Sequence, residues 1–258
     1  MKILKFKKTS KDKYKLFLDN NEVITLYEDV IIDNDLLIKK EIDNDTLNNL
    51  MNQNNDVYAY NVALNYISIK MRSIKEIKEY LIKKGFSTLI INKIIDKLIN
   101  NGYLNDVNFT KAFINDQINL STKGPYKIRK ELVKYGVDES IIESEISNID
   151  NNIIKEKLSR LIKKQVKIKK GSANHLKLKL VSYFTNLGYD KQLVLDELSN
   201  YDLSSDINLL QKDFDKLYSK YKDKYTGTKL DYFIAQKLYL KGYTSDDITN
   251  IIKKNSSL

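Results

Sequence analysis

The decapeptide Ile77-Lys78-Glu79-Tyr80-Leu81-Ile82-Lys83-Lys84-Gly85-Phe86 decides the fold, because the chain repeats its pattern three more times. The second copy is Ile128-Arg129-Lys130-Glu131-Leu132-Val133-Lys134-Tyr135-Gly136-Val137. The third runs from Leu180 to Tyr189 around Gly188, and the fourth from Ile234 to Tyr243 around Gly242. In each, a large apolar residue stands eight and four positions before the glycine, and another directly after it. The glycines lie 51, 52 and 54 residues apart. Apolar residues four apart share one helix face. A glycine at C′ ends such a helix in a left-handed turn, and the next apolar residue folds back on the last turn.

Outward from this unit the pattern continues. A second helix starts at a capping residue: Ser87, Asp138, Asp190, and Thr244 or Ser245. Its apolar stripe is Ile90/Ile91/Ile94/Ile95, Ile141/Ile142/Ile146, Leu193/Val194/Leu198 or Ile248/Ile251/Ile252. Another helix precedes each pair, marked by Tyr58/Val62/Ala63/Tyr66, Phe109/Phe113/Ile114, Ile154/Leu158/Leu161/Ile162 and Ile207/Leu210/Phe214/Leu217. Ser73-Ile74-Lys75-Glu76 reads as a capping box, and Pro125 suits a first helical position.

The first 30 residues differ. Lys2–Lys8, Lys13–Leu18 and Glu22–Tyr27 alternate as strands do, and Asp19-Asn20-Asn21 suits a turn. The expected architecture is mainly α. Tandem three-helix repeats form an elongated curved array, with a small amino-terminal β-hairpin or three-stranded cap. The units are 1–53 (β cap and short helices), 54–104, 105–150, 151–203 and 204–258 (repeats one to four).

The composition narrows the function. There is no Cys, so a disulfide framework and thiolate metal sites are excluded. No apolar run is long enough to span a bilayer, and the basic start lacks a secretory apolar segment, so a cytoplasmic location without membrane contact is expected. His175 is the single histidine, which removes a two-histidine zinc motif; an ordinary surface or half-buried role is its default. Asp33-Asn34-Asp35 and Asp43-Asn44-Asp45 lack the glycine and distal glutamate of a calcium loop and read as helix caps. Gly227-Thr228-Lys229 lacks the rest of a phosphate loop. The chain reads as a binding protein, without cofactor or catalytic group, and a monomer is expected.

The net charge of +10 is focused. Between Ile153 and Ser182 stand ten cations: Lys155, Lys157, Arg160, Lys163, Lys164, Lys167, Lys169, Lys170, Lys177 and Lys179. Only Glu156 opposes them, which leaves +9. On a helix, Ile154, Leu158, Leu161 and Gln165 fall on one side, and Arg160, Lys163, Lys164, Lys167 and Lys170 on the other. Such a face suits phosphates or acidic side chains, although a charged face is also an ordinary solvated one. Lys123, Lys127, Arg129, Lys130 and Lys134 form a second group, diluted by Glu131. Among the tyrosines, Tyr189 and Tyr243 read as packing residues. Tyr126, Tyr135, Tyr183, Tyr218, Tyr221 and Tyr225 suit packing better than base stacking.

Arg72-Ser73-Ile74-Lys75-Glu76-Ile77, Lys84-Gly85-Phe86, Gly102-Tyr103-Leu104-Asn105-Asp106 with Phe109, and Lys123-Gly124-Pro125 with Ile128 and Glu131-Leu132 resemble the RecX family in order and spacing. The likeness is strongest over residues 57–146, and the whole chain resembles the longer RecX proteins of low-GC Gram-positive bacteria. It implies a cytoplasmic regulator that lies in the groove of the RecA–single-stranded DNA filament and inhibits ATP hydrolysis, strand exchange and filament growth, with DNA contacted directly or through RecA. It also adds Arg72 to the candidate contacts. Two positions depart from the family: Asn105 replaces the first Asp of an Asp-Asp pair, and Gln117 stands where Arg is common. A stand-alone nucleic-acid-binding repeat protein is the alternative. A scaffold for another protein comes next, and an enzyme last.

Overall fold

The computed structural model describes residues 1–10, 12–168 and 170–256. Strands β1 (Ile3–Ser10), β2 (Lys13–Leu18) and β3 (Val23–Tyr27) form an antiparallel sheet in the order β1-β2-β3. Asn21 takes the left-handed conformation (φ 69°) in the β2–β3 turn. The sheet buries one face: Leu16, Leu18 and Leu26 pack with Val30 and Ile31 of α1 (Glu28–Asp33) and with Leu50 of α2 (Asn44–Ile67). The sequence predicts short helices up to Gln53. α1 is one such helix, but from Asn44 a single 24-residue α2 runs on past Gln53: the Asp43 carboxylate caps its start, accepting from the Thr46 amide at 2.7 Å, and its apolar side serves both the sheet and the first repeat.

Eleven more helices follow among the described residues: α3 (Ile74–Lys83), α4 (Thr88–Asn100), α5 (Asp106–Leu120), α6 (Pro125–Lys134), α7 (Glu139–Ser147), α8 (Asn151–Ile168), α9 (Ala173–Asn186), α10 (Lys191–Ser199), α11 (Ile207–Tyr221), α12 (Thr228–Leu240) and α13 (Ser245–Ser256). They form tandem three-helix repeats, as the glycine spacing predicts. The post-glycine residues fold back: the Phe86 N–H donates to the Leu81 carbonyl, Tyr189 to Phe184 and Tyr243 to Leu238, at 3.1–3.3 Å. Tyr189 and Tyr243 are fully buried. The chain divides into two compact units, Met1–Lys111 with Val133–Ile141, and Ala112–Leu132 with Ile142–Leu258.

Within each unit one rule joins a repeat to the next. The residue that opens the second helix of a repeat is small, and it docks on the glycine turn of the following repeat. The Ser73 hydroxyl donates to the Tyr135 carbonyl (2.8 Å) and the Ser172 hydroxyl to the Lys241 carbonyl (2.5 Å). Gly124, with no side chain, uses its own N–H on the Leu187 carbonyl (2.8 Å), and Tyr126 N–H follows onto Gly188 (3.0 Å). The approach is so close that a Cβ on Gly124 would lie 2.5 Å from the Gly188 carbonyl carbon, and one on Gly188 2.4 Å from the Lys127 nitrogen. Gly85, whose turn receives no such helix, has nothing within 4 Å of its missing Cβ.

The first amide inside these helices obeys a matching rule. Ile74 N–H is taken by the Asp106 carboxylate and Ala173 N–H by the Ser205 hydroxyl, each at 2.9 Å. Burial, partly offset by that amide and reinforced by Glu76, pushes the Asp106 carboxyl above its ordinary value. The corresponding residue of α6 is Pro125, which has no N–H and needs no acceptor.

Candidate partner-binding face

Helix α8 separates apolar and cationic positions by about half a turn. Ile154, Leu158 and Ile162 are buried against α9 and α10 residues such as Leu180, Phe184 and Val194. Arg160, Lys163, Lys164 and Lys167 are exposed, at the i, i+3, i+4, i+7 spacing that makes one continuous stripe. Among the described residues none of these four takes part in an ion pair. Lys170 follows the helix and reaches the Asp206 carboxylate at 3.7 Å. Lys170 also borders a shallow depression of about 520 Å³, lined besides by Lys179, Ser182, Tyr183 and Asn186 of α9. Lys169 lies outside the described residues.

Lys157 does not belong to the cationic face. It is 4 % exposed, and its ammonium donates to the carbonyls of Gln117 (3.0 Å) and Lys123 (2.9 Å). It thus ties α8 to the last turn of α5, where the Gln117 carbonyl also accepts from Ser121, and to the loop that follows it; carbonyls at a helix carboxy-terminus attract a cation. Burial, with the charge of Arg160, pushes its pKa down to about 8. A lysine three positions after Ile154 and one before Leu158 sits on the buried side of the wheel, so the sequence does carry a signal for this placement.

The remaining candidates are largely occupied within the chain. Arg72 pairs with Glu76 at 3.0 Å and lies 3.9 Å over the Tyr66 ring, itself stacked on Tyr80, so it serves as a packing residue of the first repeat. Lys123 pairs with Glu131 at 2.6 Å, and Arg129 with Glu143. Lys127 is half-buried against the Gly188 turn, whereas Lys130 is exposed. Lys155 reaches the buried Glu197 at 3.6 Å. Asn105 still caps α5, accepting from the Asn108 amide at 3.0 Å. Among the described residues no group of three or more His, Asp or Glu is placed to hold a metal ion, and no helix is long and apolar enough to cross a membrane.

Fold and site together define a tandem three-helix repeat protein with a cationic helical face. Residues 59–98 match the family described as RecX, first three-helix domain, and residues 105–144 match RecX, second three-helix domain. The regulatory protein RecX of Streptococcus agalactiae serotype Ia is 33% identical over 258 residues, covering 98% of this chain and 99% of that protein. Its counterparts in Streptococcus uberis (33%) and Streptococcus pneumoniae Hungary19A-6 (31%) match over the same shares. The chain belongs to the RecX family of regulatory proteins. A crystal structure of a regulatory protein RecX shares the fold, with a TM-score of 0.64 at 22% identity over 74% of this chain and 96% of that one.

Proposed function

We propose that this protein binds the RecA–single-stranded DNA filament and inhibits its ATP hydrolysis, strand exchange and growth, using the α8 stripe as a principal contact. The observation that carries the reading is the stripe itself: Arg160, Lys163, Lys164 and Lys167 are exposed and without an ion-pair partner among the described residues, on a RecX-family scaffold. A face of four uncompensated cations matches acidic protein surface or exposed phosphate, and repeated weak contacts along a filament add in free energy. A monomer acting in the cytoplasm fits this role.

The test is RecA-dependent ATP hydrolysis on single-stranded DNA with and without the protein. Inhibition at stoichiometric amounts is expected, weakening with salt and with Lys163→Glu, Lys164→Glu and Lys167→Glu combined. No effect of the wild-type protein overturns the filament reading. Full inhibition by the triple variant overturns the role of the stripe. Tight DNA binding without RecA at physiological salt favours a stand-alone nucleic-acid binder instead.

A further inference from the structure

The outer face of the amino-terminal sheet carries charges and rings that the filament contact does not use. Strand pairing sets Lys5 opposite Phe17, Lys7 opposite Lys15, and Lys13 opposite Tyr27. Leu16 and Leu18 point into the core, so alternation turns Lys13, Lys15 and Phe17 to the other side. Lys5, Lys7 and Lys15 are exposed, and none of the strand residues is Asp or Glu.

Two lysines directly opposite each other repel. Protection of a sheet edge against other strands accounts for lysines on β1. It does not account for Lys13 and Lys15, because β2 is the central strand. The cations also lie over rings: Lys5 Nζ is 4.7 Å from the Phe17 centroid, and Lys13 Nζ is 4.6 Å from Tyr27 and 5.6 Å from Tyr58. Beside Lys13 a depression of about 480 Å³ opens against α2, where Asn52, Asn55 and the half-exposed Tyr58 line it. Phosphates need cations, bases need flat π faces, and base edges need amides that both donate and accept. An acidic protein would use the cations alone.

We propose that this sheet face, continued into the Tyr58 depression, is a binding site for single-stranded nucleic acid. The site stands or falls independently of RecA as partner, since its test contains no RecA.

The full-length protein is titrated against a fluorescent oligo-dT strand by anisotropy at several salt concentrations. The variant Lys5→Gln/Lys7→Gln/Lys13→Gln/Lys15→Gln should bind at least about tenfold more weakly. Its slope of log affinity against log salt should flatten by up to about 3, at about 0.7 for each phosphate no longer neutralised. Its thermal midpoint should stay within a few degrees of the wild type, because relief of the Lys7–Lys15 repulsion offsets the lost ring contacts of Lys5 and Lys13. If four changes disturb the sheet, Lys7→Gln and Lys15→Gln singly carry the same test, each weakening binding about two- to fivefold. Tyr58→Leu should weaken oligo-dT but leave an abasic strand of equal length unaffected. The proposal is overturned if the wild type does not bind oligo-dT, if the lysine variants bind it unchanged, or if they lose polyglutamate binding as steeply as oligo-dT.

Discussion

The ammonium of Lys157 donates to the backbone carbonyl of Gln117, 40 residues earlier in the chain, at 3.0 Å. A cation that sequence composition assigns to the surface is instead an internal tie between α8 and α5. Lys157→Met should lower stability by about 1–3 kcal/mol at neutral pH, since the Lys123 carbonyl loses this donor while the Gln117 carbonyl keeps only Ser121. The pH dependence has a definite sign. Below about pH 8 both folded and unfolded chains keep the Lys157 proton, and the contribution is flat. Between about 8 and the ordinary value of 10.5 only the unfolded chain keeps it, so stability rises with pH. Urea unfolding at pH 7 and 9.5 should show the advantage of wild type over Lys157→Met growing by about 1–2 kcal/mol. An advantage constant across that range argues against the burial.

Gly85→Ala and Gly188→Ala separate the two tasks of a repeat glycine. Both residues have positive φ, 88° and 93°, but only Gly188 lies under another backbone. The first substitution should cost about 1 kcal/mol, the conformational penalty alone. The second adds the displacement of Lys127 and should cost about 3 kcal/mol or more. Equal losses in chemical denaturation would mean that the close approach at Gly188 contributes nothing.

Internally paired and exposed cations should behave differently on neutralisation. Arg129→Gln and Lys123→Gln break pairs with Glu143 and Glu131 and should show in stability before they show in function. Lys163→Gln and Lys164→Gln should leave stability within about 0.5 kcal/mol while weakening filament inhibition. Parallel denaturation and ATPase assays on the four variants decide this; the reverse pattern places the binding face around α6.

Asp213 anchors the last repeat. It accepts from Lys241 at 2.6 Å and from the buried Tyr243 hydroxyl at 2.9 Å. Burial raises its carboxyl, but these two hydrogen bonds win and hold it below the ordinary 3.8. The folded state therefore resists protonation more than the unfolded one, and this stabilisation is lost as pH falls through and below 3.8. Asp213→Asn should cost about 1–2 kcal/mol at pH 7. The gap to wild type, followed by thermal unfolding, should narrow toward pH 3.

Much of the fold is legible in the residues. Gly85, Gly136, Gly188 and Gly242 announce the repeat, because a helix end in a left-handed turn asks for glycine whatever surrounds it. The Ser73 capping box and the three strands are equally local, and β2 falls at Lys13–Leu18 as read. What periodicity does not show is which surfaces meet. Ser73, Gly124 and Ser172 look like ordinary helix starts, and their docking on the next turn depends on partners 62 to 69 residues away. The site is legible as charge but not as availability. A count of lysines groups Lys157 with Lys163, although its wheel position beside Leu158 separates them. Family resemblance makes Arg72 a candidate for partner binding, whereas Glu76 one turn on and Tyr66 claim it.

The docking of each second helix on the turn that follows it has a consequence for how the protein is made. The seat of Ser73 is Tyr135 and that of Ser172 is Lys241. Each seat leaves the ribosome some 60 to 70 residues after the helix that needs it, roughly 3 to 14 seconds later at ordinary synthesis rates. Maturation therefore trails translation by one repeat. During that interval the newest repeat shows its helix start uncovered, and the protection of Ser73 in a nascent chain is set by how far synthesis has gone beyond Gly136.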